Sequence, residues 1–122
     1  MEKIIIICEF CGRRVLVHEP SQVSKEEKSL MMKDAGVEQD GKLFWDVENN
    51  KIVPKQPSPT APNAFTDHEL LHKVQSVTDV TVKYTTSGPN KVILDGPEVE
   101  FEFDGNTVTL ADALSDAMLY LA

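Results

Sequence analysis

Cysteine is scarce in this chain: Cys8 and Cys11 are the only two among 122 residues, and Trp45 is the only tryptophan. One short-spaced pair builds no disulfide framework of the secreted kind and fits a reducing, cytoplasmic compartment better. Long apolar runs are also missing. The stretch from Ile4 to Cys8 falls far short of the roughly 20 residues that span a bilayer, so no membrane segment is expected. Nor does the start read as a secretory leader, since one lysine and four isoleucines supply no proper apolar region and no small-residue cleavage site. Basic charge is in short supply too. There are 12 Lys and Arg against 20 Asp and Glu, a net charge of −8. Residues 1–53 hold 8 basic and 10 acidic groups, and residues 54–122 hold 4 and 10. Such a surface repels phosphate backbones, and direct nucleic-acid binding by the bulk of the protein is not expected. A small basic spot remains at Arg13 and Arg14. Phosphate-cradling glycine loops, serine-nucleophile motifs and calcium loops are absent as well.

What is present suits one small domain, or two very small halves, with 41% hydrophobic residues to build a core. The β-branched run Ile4–Ile7 reads as a strand, and Val15-Leu16-Val17 as its hairpin partner. Pro20 ends that hairpin. Ser24 followed by Glu27 is a capping-box pattern, predicting a helix to about Ala35 with Gly36 as its left-handed stop. Residues 42–53 predict a second hairpin around Asn49-Asn50, with Trp45 as a core or interface anchor. Pro54–Ala64 (PKQPSPTAPNA) contains four prolines and reads as an extended connector lying against its own domain or a partner.

Thr66 and Glu69 form a second capping box, with Phe65 and Leu70 as its hydrophobic staple, opening a helix to about Val77. Strands follow at Val80–Thr85 and Lys91–Leu94 around a Ser87-Gly88-Pro89-Asn90 turn. A further hairpin pairs Glu98–Phe103 with Thr107–Thr109. Thr109 then caps a last helix with a stripe at Leu110, Ala113, Leu114, Ala117, Met118 and Leu121. The expected fold is α+β: a small, antiparallel β-rich domain with about three helices, an N-terminal hairpin knuckle carrying the cysteines, and a C-terminal amphipathic helix. It divides into an N-terminal part (1–53), a proline-rich connector (54–64) and an acidic helix–β–helix part (65–122), or forms one domain throughout.

Cys8-Glu9-Phe10-Cys11-Gly12-Arg13 resembles the knuckle of zinc ribbons and rubredoxin-like sites, where two thiolates come from a tight turn joining two strands. The resemblance implies a metal and two further ligands, because a structural zinc takes four. A redox pair would instead open a helix whose N-terminus lowers the thiol pKa, whereas strand residues follow here. The bland alternative is two quiet buried thiols. Candidates for the missing ligands are His18, His68 and His72. The last two lie four apart, on one face of the predicted helix, roughly opposite Leu70, Leu71, Val74 and Val77. Cys8, Cys11, His68 and His72 would make a Cys2His2 structural zinc joining hairpin to helix. A dimer sharing zinc between two cysteine pairs is the second route to four ligands.

His68-Glu69-Leu70-Leu71-His72 also matches H-E-x-x-H, in which two histidines bind zinc and the glutamate is general base in a metallohydrolase. Against that reading, Glu69 already has a capping role and no third ligand follows. Glu98, Glu100 and Glu102 alternate with Val99, Phe101 and Phe103, which places carboxylates on one face of a strand. That face is a solvated exterior or a surface for a basic partner. The functional expectation is a small acidic, non-catalytic interaction or regulatory protein, in which zinc, where bound, is structural. It would act on a protein partner, as a homo-oligomer or an assembly subunit. The alternatives are an acidic inhibitor or nucleic-acid mimic, and the metallohydrolase.

Overall fold

The structure, a computed structural model, describes residues 4–7, 12–17, 22–86, 88–104 and 108–122. Within them the order is β1 (Ile4–Ile7), β2 (Arg14–Val17), α1 (Glu26–Asp34), β3 (Phe44–Asp46), β4 (Lys51–Val53), α2 (Asp67–Gln75), β5 (Val80–Thr85), β6 (Gly88–Leu94), β7 (Val99–Glu102) and α3 (Leu110–Leu121). All pairing between these strands is antiparallel, in sheets β1-β2, β3-β4 and β5-β6-β7. This is the α+β domain that the sequence predicts.

In the first hairpin Ile5 stands opposite Leu16 and Ile7 opposite Arg14. Period two sends Ile6, with Ile4 beside it, into a cluster with Val23, Leu43, Trp45 and Ala64. Ile5 and Ile7 point outward, 60% and 58% exposed. Helix α1 departs from its predicted start. Its N-cap is Lys25, with no side-chain cap. Ser24 is fully buried and committed elsewhere: its Oγ accepts the Phe65 amide at 3.0 Å and lies 2.6 Å from Ser29 Oγ. Its carbonyl accepts Trp45 Nε1–H at 2.8 Å. The tertiary staple has taken the hydroxyl that local pattern assigns to the cap. The helix stop holds, with Gly36 at φ +91° and the Val37 amide returning to Met32 O at 2.9 Å.

The proline-rich stretch divides in two. Residues 54–60 are exposed, whereas 61–64 are buried and run along β3. The Trp45 amide donates to Pro62 O at 3.0 Å and the Ala64 amide to Leu43 O at 2.9 Å. Asn63 is fully buried and fully used: Nδ2 donates to Gly41 O and Leu43 O, and Oδ1 accepts the Gly41 amide. So the connector ends as part of the core.

Inside the three-stranded sheet, Val92 and Leu94 pack with Leu70, Val74, Leu114 and Ala117 of α2 and α3, and with Met32 and Val37 from the first half of the chain. Salt bridges from Lys25 and Lys28 to Asp112 and Asp116 further tie α1 to α3. Two local readings change. Strand β6 begins at Gly88 rather than after a Gly-Pro turn. Pro89 is tolerated because it pairs with Tyr84 beyond the reach of β7, whose register ends at Lys91–Glu102. Val108 and Thr109 form no strand. The Val108 amide returns to Asp104 O at 2.8 Å and Thr109 is the cap of α3. Residue 107 lies outside the described residues.

Candidate metal centre

The start of α2 forms as its sequence dictates. Thr66 Oγ1 accepts the Glu69 amide at 3.2 Å, and Glu69 Oε1 accepts the Thr66 amide at 3.0 Å. Phe65 and Leu70 close the staple in the core, both fully buried. With Leu70 and Val74 inward, His68 and His72 come to the half-buried side of the helix, ring centroids 5.8 Å apart and tilted by 60°. Two imidazoles on one tetrahedral zinc have centroids roughly 5 Å apart. The observed spacing is wider than that.

Arg13 reaches that side. Its Nη1 lies 3.4 Å from His68 Nε2. A guanidinium only donates, so the imidazole is read as accepting at Nε2. Arg13 follows Cys11 by two residues, and the segment after the cysteine pair thus meets the histidine-bearing helix. Cys8, Cys11 and His18 themselves lie outside the described residues. Among the described residues no group of three or more His, Cys, Asp or Glu side chains is placed to hold a metal.

Glu69 is engaged on both oxygens. Oε1 takes the Thr66 amide and, at 3.3 Å, the Thr66 hydroxyl, while Oε2 takes the Lys42 amide at 3.2 Å. Burial pushes its carboxyl above the ordinary value, and the hydrogen bonds from Thr66 and Lys42 oppose that rise. A general base needs a carboxylate oxygen aimed at the metal-bound water, and this carboxylate is oriented toward backbone amides.

On β7 the predicted alternation holds: Glu100 and Glu102 are exposed and Phe101 is half-buried. Lys91 on β6 bridges both glutamates, at 3.4 and 3.1 Å. Its ammonium is held above the ordinary lysine value, first by the hydrogen bond to Glu102. Glu98 leaves the strand face at φ +58° in the preceding turn. So the outer face is less negative than the sequence alone implies.

Sequence reasoning missed two features. One is the Arg13–His68 contact, which joins residues 55 apart and has no local signal. The other is Asp112, an acidic residue of α3 that is only 7% exposed. The signal was there: Ala111 and Ser115 mark a second small-residue face on α3, and a neighbouring helix can approach closely along such a face. No family model, curated protein or solved structure matches this chain. Among the described residues no helix is long and apolar enough to cross a membrane.

Proposed function

We propose that this is a small, non-catalytic interaction protein whose N-terminal hairpin is clasped to α2 by a structural zinc. The ligands are Cys8, Cys11, His68 and His72. The observation that carries the reading is the approach of Arg13 to His68 Nε2, within 3.4 Å. A cation already sits at the lone pair that a metal would use, on the segment directly following the cysteines. Zinc binding displaces the guanidinium and draws the same two segments together. Histidines four apart on a half-buried helical edge complete the argument. The engagement of Glu69 with backbone amides favours this structural reading over the metallohydrolase.

The interaction role rests on the exposed face of the first hairpin. Ile5, Ile7 and Leu16 present apolar side chains to solvent on a two-stranded sheet, and such apolar surface marks a contact site. A metal clasp would fix that sheet in place for a partner protein.

Zinc titrated into chelator-treated protein tests the clasp by thermal unfolding. The midpoint should rise and saturate at one equivalent, as expected when a ligand binds only the folded state. The gain is about 2.7 kcal/mol at 100 times the dissociation constant. Cys8→Ser and His72→Ala should each abolish the rise, and His18→Ala should keep it. A midpoint indifferent to zinc would sink the proposal.

A further inference from the structure

Strand β7 is an edge of its sheet. Among the described residues its only strand partner is β6, and its other side opens onto a cleft of about 410 Å³ shared with the first half of α3. Glu100, Glu102, Asp112 and Asp116 line the cleft together with Phe101 and Phe103. Asp112 is more than nine-tenths buried, and its Oδ1 has no hydrogen-bond partner among the described residues. Its other oxygen lies 3.8 Å from the ammonium of Lys25, a mostly exposed side chain. Lys28 holds Asp116, and Lys91 holds Glu100 and Glu102. A buried carboxylate oxygen without a donor costs stability and is retained where something else supplies the donor.

We infer that the free edge of β7 and the α3 cleft bind an extended, arginine- or lysine-rich segment of a protein partner, added as a fourth strand. Backbone groups on an open edge supply the pairing. Alternate side chains of the incoming strand then fall on opposite faces. Those turned into the cleft lay their aliphatic stems along Phe101 and Phe103 and donate to Asp112 and Asp116. Those turned outward exchange with Lys91 for Glu100 and Glu102. Four carboxylates against the three lysines that hold them leave the edge negative, which favours a basic occupant over an acidic one. This inference rests on the reading of the chain as an interaction protein, but not on the zinc.

The probes are two capped hexapeptides of equal charge, an Arg–Val repeat and the same repeat methylated at every backbone nitrogen, titrated into the isotope-labelled full chain. The methylated backbone lacks the N–H groups that strand addition needs. The Phe103 amide is turned to Asn90 of β6, so Glu100 and Glu102 offer theirs to the open edge. The Arg–Val peptide should protect the amides of Glu100 and Glu102 and shift those of 110–117. The methylated peptide should bind about tenfold more weakly or worse. Asp112→Asn, which preserves shape, should weaken Arg–Val binding by about tenfold, and Glu48→Gln on the β3–β4 turn should leave it unchanged. Equal binding of the two peptides, or an unaffected Asp112→Asn variant that retains its fold by circular dichroism, overturns the inference. Shifts confined to the Ile5–Leu16 face overturn it too, while leaving the interaction role standing.

Discussion

Glu69 illustrates how one residue invites two chemistries and geometry chooses between them. In the linear motif it stands between two histidines as a general base. In the fold its oxygens accept the Thr66 and Lys42 amides. Its carboxyl is raised above the ordinary value near 4.5, chiefly by burial. A raised acid favours the folded state most when protonated. Its contribution is therefore full below the ordinary value and is lost as pH rises through the folded value. Glu69→Gln should remove this step from the stability–pH curve above the ordinary carboxyl value, measured by urea unfolding at a series of pH values. It should also leave the zinc content unchanged. An unaltered pH slope would mean that the carboxyl is not the buried group described here. His68 and His72 were legible as a pair because i and i+4 share a helical face, and the cap fixed where the helix began.

At the scale of elements, the start of α2 was fully readable, because cap, box and staple all lie within six consecutive residues, whereas the helix ends at Gln75, short of the expected Val77, which is exposed. The first hairpin, the Asn49-Asn50 turn region and the amphipathic face of α3 were readable for the same reason: their determinants are local. Failures came where distant residues compete. Ser24 looks like a cap and is instead the buried junction of Phe65, Ser29 and Trp45. Thr107–Thr109 looks like a strand, yet Thr109 is spent on α3. The tie between α1 and α3 was equally invisible, since Lys28 and Asp116 are 88 residues apart. Their hydrogen bond is the leading cause of the raised Lys28 ammonium. The bridge is partly exposed, so Lys28→Met should cost less than about 1 kcal/mol near neutral pH, and high salt should shrink the difference. A lysine raised in the fold stabilises below its ordinary value of 10.5 and loses that contribution as pH climbs through the folded value. Wild type and variant should therefore converge in strong alkali. A gap that persists in alkaline or high-salt urea titrations would assign the effect to packing of the lysine stem.

For the whole molecule, residues distant in sequence meet in two clusters. Met32 and Val37 share a core with Leu114 and Val92, while Val23 and Ala64 join the first hairpin's Ile6. The hairpin itself has two strands, one inward face and an outward face of Ile5 and Ile7. Two-stranded sheets are marginal without added support. A zinc shared with α2 is the support proposed here, and it couples metal binding to the order of that hairpin. Native mass spectrometry of protein purified without added metal or a histidine tag, beside Cys8→Ser and His72→Ala, tests this most directly. A Cys2His2 clasp gives one zinc per chain in the wild type and none in either variant. Metal-free wild type, or zinc at half per chain that survives His72→Ala, would contradict it.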